Sequence, residues 1–200
     1  AGSVVVGVGD AYESVKTGLL AAARAIVLGD GSKSGVTMGP VISAGHKDKI
    51  LSYIEKGIRE GANLLLDGRG AKVEGYPHGH WVGPTIFEDV KPGMVIATEE
   101  IFGPVACLMK ARDLDEALEI ANRSEYGNAA SIYTSSGKAA REFQYRIGAG
   151  MLGVNVGVAA PMAFFPFGGA KGSFFGDLKA NGSAGIDFYT DRKVVITRWF

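Results

Sequence analysis

Short β-branched runs alternate with segments of helical spacing along this chain, and that alternation limits the folds open to it. Val4–Val8 is mostly β-branched, as a buried strand requires. Asp10 stands where an N-cap is expected, and Val15, Leu19, Ala22 and Ile26 fall on one face of a helix reaching about residue 28. Residues 29–39 form a polar, glycine-rich loop. Ser43 then caps a second predicted helix, with Ile50, Ile54 and Ile58 at helical spacing and Gly61 near its end. Asn63–Leu66 reads as a short strand, and residues 81–87 as another, held to a sheet edge by Pro84. Residues 105–110 form a strand. Asp113 and Glu116 resemble a capping box before a helix that carries Leu114, Ala117, Leu118 and Ala121 on one side. Strand, helix and strand follow at 129–133, 137–147 and 151–156. Such alternation predicts an α/β protein, a three-layer domain with a mainly parallel sheet. A last strand at 187–199, marked by Phe188, Val194 and Ile196, follows a long loop and is expected to join a different sheet.

Composition excludes several classes of function. Lys+Arg and Asp+Glu both number 21, so the formal net charge is zero and a nucleic-acid or polybasic membrane surface is not expected. No apolar run approaches the roughly 20 residues that span a bilayer. The start of the chain lacks the basic stretch and long apolar region of a signal peptide. A single cysteine, Cys107, rules out an internal disulfide framework and suggests a reducing compartment, hence a cytoplasmic location, or the mitochondrial matrix in a eukaryote. The chain opens on a strand-like run without methionine, which suggests a cut inside a larger protein.

Several patterns invite chemistry and mostly decline it. Gly7-Val8-Gly9 lies between strand and helix, but Tyr12 stands where a dinucleotide fingerprint needs its third glycine; a glycine turn is the better reading. His78 and His80 lack the further ligands a metal needs, and His46 is read as equally inert; no metal site is expected. Cys107 sits in the apolar run Val105-Ala106-Cys107-Leu108-Met109, which opposes both thiolate formation and substrate access. The sequons at Asn122 and Asn181 are read as chance. The run Phe164-Phe165-Pro166-Phe167-Gly168-Gly169 fits a ligand pocket and ordinary core equally well.

Glu99-Glu100-Ile101-Phe102-Gly103-Pro104-Val105 resembles the most recognisable short motif of aldehyde dehydrogenases. Others follow in the family's order: Gly39-Pro40 with the helix around Lys49, Gly83-Pro84-Thr85, residues 122–128, the strand Gly150 to Asn155, and Pro166-Phe167-Gly168-Gly169. Asn128 departs from the leucine common there. Residues 172–177, 185–190 and 193–199 resemble the CoA-acylating, methylmalonate-semialdehyde type.

The resemblance implies a C-terminal part of an enzyme that converts methylmalonate or malonate semialdehyde, CoA and NAD into acyl-CoA, carbon dioxide and NADH, as in valine breakdown. It implies a partial catalytic domain at 1–176 and, at 177–200, a segment whose strand builds a homodimer or homotetramer. By resemblance Glu100 holds the nicotinamide ribose hydroxyls, Phe102 packs near the nicotinamide ring, Lys49 approaches the ribose, and Phe167 lines the substrate channel. The family's nucleophilic cysteine is expected just before Ala1, so the chain is expected to carry no catalytic residue and to be inactive alone. Two rivals stand beside this reading: a CoA-independent aldehyde dehydrogenase, and an assembly module without catalysis.

Overall fold

The structure, a computed structural model, describes residues 2–157 and 159–200. The expected position of the nucleophile, before Ala1, lies outside the described residues. The chain divides into two compact units, 1–120 and 121–200.

The first unit runs β1 (Val4–Val8), α1 (Ala11–Arg24), α2 (Ala44–Arg59), β2 (Asn63–Leu66), β3 (Thr85–Glu88), α3 (Val95–Thr98) and β4 (Val105–Ala111), and α4 (Leu114–Asn122) crosses the boundary. Its sheet has the order β1-β4-β3-β2. The β1–β4 and β3–β4 pairings are parallel, and β2 joins β3 antiparallel. The result is a mixed sheet with helices, an α/β arrangement whose centre is parallel as expected. Side chains alternate across a strand, so Val105, Cys107 and Met109 of β4 share a face. They join the core cluster with Ile50, Tyr53 and Ile54 of α2, Phe87 of β3 and Ile96 of α3. Leu108, between them, is also fully buried. β4 is thus covered on both faces, which explains its continuous apolar run.

Three expectations change here. Pro84 does not hold its strand to an edge: β3 begins one residue later and lies inside the sheet. Because Pro84 stands outside the ladder, its missing N–H costs no strand hydrogen bond, and the Thr85 N–H donates to the Pro104 carbonyl at 2.8 Å. Asp10 occupies the N-cap position of α1 but makes no side-chain capping bond. On the expected inward face of α1, Val15 and Leu19 are half-buried, but Ala22 is exposed while Tyr12 and Ala23 are buried; the helix ends at Arg24, so Ile26 lies beyond it and is exposed. The Gly7 turn is a packing device: a Cβ there would fall 2.8 Å from Cδ2 of Tyr12. Ser43 does cap α2, accepting from the His46 N–H at 3.2 Å. Asp113 caps α4 through the Glu116 N–H, while the Glu116 carboxylate reaches back to the Arg112 N–H, one residue before the partner a capping box uses.

The second unit holds β5 (Tyr126–Gly127), β6 (Ala129–Ile132), α5 (Gly137–Arg146), β7 (Met151–Val154), β8 (Ala170–Lys171) and α6 (Ala184–Tyr189). β6 and β7 pair in parallel, and β5 and β8 antiparallel. β7 stops short of residue 156 because Asn155 turns into the left-handed region (φ 57°) and its side-chain amide bonds both the N–H and the carbonyl of Thr134. Asn122 is likewise committed, accepting from Gly148 N–H at 2.7 Å and donating to the Arg146 carbonyl at 2.9 Å. The long strand expected at 187–199 is not formed. Residues 187–189 belong to α6, whose first turn is closed by the Gly185 N–H on the Asn181 carbonyl, and 190–200 carry no regular structure.

Candidate functional site

The segment 99–103 leaves α3 and enters β4, and one face of α2 holds it along its length. Ile101 points inward and is buried in the core cluster. Gly103 lies against Ile50: a Cβ at Gly103 would fall 2.6 Å from Ile50 Cδ1, so the segment approaches the helix this closely only because glycine stands there. The Tyr53 hydroxyl donates to Glu99 Oε2 at 2.5 Å. That bond, with desolvation, raises the Tyr53 pKa above the ordinary phenol value. His46 Nε2 lies 2.7 Å from the Phe102 carbonyl. His46, Ile50 and Tyr53 sit at helical spacing, so three successive turns of α2 grip the segment at three points.

The segment displays what the helix does not hold. Glu100 is exposed, and among the described residues its carboxylate makes no hydrogen bond or ion pair. Phe102 is 75% exposed and has φ 61°. A bulky residue in that region is strained by on the order of 1–3 kcal/mol. Lys49 lies on the same helix between His46 and Tyr53, exposed, with Nζ 5.7 Å from the Tyr53 ring centroid. Lys49 and Glu100 form no ion pair with each other. The structure therefore brings three sequence-predicted residues, Glu100, Phe102 and Lys49, onto one helix–loop element. It adds Tyr53 and also His46, which was expected to be inert and instead meets the Phe102 carbonyl; their shared spacing with the buried Ile50 was the available signal.

Cys107 is excluded as a stand-in nucleophile. It is buried, its thiol donates to the Ile96 carbonyl at 3.3 Å, and desolvation pushes its pKa up to about 12. Among the described residues no group of three or more His, Cys, Asp or Glu is placed to hold a metal, and no helix is long and apolar enough to cross a membrane.

Phe167 lies in the second unit. It is half-exposed, and its backbone is pinned by two hydrogen bonds to Ala180. A depression in that unit is lined by β7 residues with Ala160, Pro161 and Pro166; Phe167 follows the last of these in sequence but is not in the lining.

The chain belongs to the aldehyde dehydrogenase family, whose model matches residues 1–195. Within it, the chain is 57% identical over 197 residues to malonate-semialdehyde dehydrogenase 2 of Geobacillus thermodenitrificans, and 47% identical over 199 residues to the malonate-semialdehyde dehydrogenase of Halalkalibacterium halodurans. It superposes on a crystal structure from Sinorhizobium meliloti 1021, assigned as a methylmalonate-semialdehyde dehydrogenase and complexed with NAD, with TM-score 0.94 and 42% identity over 98% of this chain. The Mycobacterium tuberculosis aldehyde dehydrogenase complexed with NAD+ matches with TM-score 0.85 and 32% identity over 96% of this chain. The chain spans 38–41% of the length of these relatives.

Proposed function

We propose that this chain forms the nicotinamide-ribose wall of an NAD-dependent, CoA-acylating malonate- or methylmalonate-semialdehyde dehydrogenase, as the C-terminal part of that enzyme. The observation that carries the reading is the paired display of Glu100 and Phe102 on a segment anchored by α2. The residues fit the cofactor: an unpartnered carboxylate can accept two ribose hydroxyls at once, and a bare aromatic ring can pack beside a flat nicotinamide. Lys49, exposed on the same helix between His46 and Tyr53, is also assigned to the ribose. NAD, when bound, accepts the hydride that leaves the aldehyde. Glu100 orients the ribose, Phe102 limits the ring's tilt, and the buried faces of Ile101 and Gly103 keep both from drifting. Position matters because a misplacement of about 1 Å in such a site can cost a hundredfold in rate.

Names of the relatives support the substrate, a small semialdehyde. CoA as acyl acceptor rests on the resemblance of residues 172–177 and 185–190 to the CoA-acylating type. Residues 1–176 belong to the catalytic domain in this reading, and Phe167 borders the substrate path. Glu100→Gln keeps shape and removes charge. In the complete polypeptide it should raise KM for NAD or slow hydride transfer by about tenfold or more, since a bond to a charged group contributes about 1.5–3 kcal/mol. Unchanged steady-state kinetics would remove Glu100 from the site.

The segment 177–200 is proposed to assemble the protein as a homodimer or homotetramer. Val194, Val195, Ile196 and Trp199 are each at least 73% exposed, and a tail without regular structure of its own and with bare apolar side chains suits addition to another copy's sheet. Deleting 191–200 should shift the species seen in sedimentation velocity to monomer or aggregate; an unchanged oligomer would refute the role.

A further inference from the structure

We infer that His46 is a positioning residue: by donating its Nε2–H to the Phe102 carbonyl it holds Phe102 in the backbone conformation that keeps the ring at the surface. The inference rests on the reading above, that Phe102 and Glu100 face NAD.

Phe102 is doubly unfavourable where it stands. Its φ of 61° is one that bulky side chains rarely adopt, and its ring is 75% exposed. Burial of its own ring therefore does not hold this conformation; neighbouring contacts must. On one side Ile101 is buried, and on the other Gly103 lies against Ile50. Between them the carbonyl of Phe102 is met by His46 at 2.7 Å. The imidazole also meets the Phe102 ring edge-on, with centroids 6.3 Å apart and planes at 73°. One side chain thus acts on both the backbone and the ring of the same residue.

His46 is itself well placed to hold a position. It lies in the first turn of α2, its N–H bonded to Ser43 Oγ, and the helix is fixed by the fully buried Ile50 and Ile54. A carbonyl oxygen can only accept, so the ring nitrogen facing it must carry a proton. Without that donor Phe102 is released toward a right-handed backbone. The change turns the peptide planes beside it and moves the Phe102 ring from the position in which it faces the nicotinamide in that reading.

Two measurements test this. In the chain itself, imidazole ¹⁵N shifts should show a proton on His46 Nε2; the chain has three histidines, and His46→Ala assigns the resonance. A bare Nε2 overturns the inference. In the complete polypeptide, NAD dissociation constants and Tm are compared for His46→Ala, His46→Gln and Glu100→Ala. His46→Ala should weaken NAD binding by about fivefold or more, the loss expected for one neutral hydrogen bond, with Tm near that of the parent. His46→Gln, whose amide can donate to the same carbonyl, should restore most of the affinity. If Glu100→Ala weakens NAD binding and His46→Ala does not, the positioning role falls and the site stands. If neither variant changes NAD binding, the site reading falls and takes the inference with it. If both His46 variants weaken binding equally and lower Tm, His46 is only a support of the fold and the inference is overturned.

Discussion

Phe87→Ala should lower the unfolding free energy of the first unit by about 3–5 kcal/mol, the range for deleting a large aromatic side chain from a close-packed core. Phe87 is fully buried in the middle of the sheet, in the same cluster as Ile50, Ile54 and Ile96. Its neighbours cannot collapse easily. α2 already approaches so closely at Gly57 that a Cβ there would meet Phe87 Cζ at 3.2 Å and Ile96 Cδ1 at 2.9 Å. Urea unfolding followed by tryptophan fluorescence measures the loss. Trp81 is buried in this unit while Trp199 is 89% exposed, so the signal change reports mainly on the first unit. A loss under about 1 kcal/mol would mean that the core is centred elsewhere.

The second large effect concerns chemistry. The 200-residue chain, supplied with malonate semialdehyde, CoA and NAD, should produce no NADH. In the function proposed above, covalent catalysis on the aldehyde needs a thiolate that the substrate can reach. The only thiol in the chain is Cys107, buried in β4 with its pKa pushed up to about 12. At neutral pH its thiolate population is negligible and its sulfur points into the core. A thiol-specific reagent should accordingly leave the native chain unmodified and label it stoichiometrically in denaturant. NADH release by the purified chain, or fast labelling of the native form, would contradict this reading.

Much of the fold was legible because period and burial agree. The helical spacing of Ile50 and Ile54 located α2, and the apolar run around Cys107 located a strand covered on both faces. Elsewhere the determining contact is remote in sequence. Pro84 reads as an edge marker, yet the ladder starts one residue later, and no local signal fixes that start. Phe188 and Tyr189 favour strands by composition, but a closed turn between Gly185 and Asn181 makes them helical. At the candidate site, Glu100 and Phe102 stand out through a family motif rather than through physics. His46 was not, because its acceptor lies 56 residues away and a histidine in the first turn of a helix looks like any other solvated side chain.

The grip of α2 on residues 99–103 also sets a length. His46 and Tyr53 are seven positions apart on the helix, a rise of about 10.5 Å. Their partners Phe102 and Glu99 are three residues apart, a reach of up to about 10 Å, and they run in the opposite sense along the helix. The two spans match in length as two teeth and their notches do, and Gly103 lies against Ile50, between His46 and Tyr53 on the helix. Exchanging the outward side chains leaves the mesh intact, whereas adding one residue throws every later tooth out of step. The display of Glu100 and Phe102 is therefore open to redesign by substitution and closed to redesign by insertion.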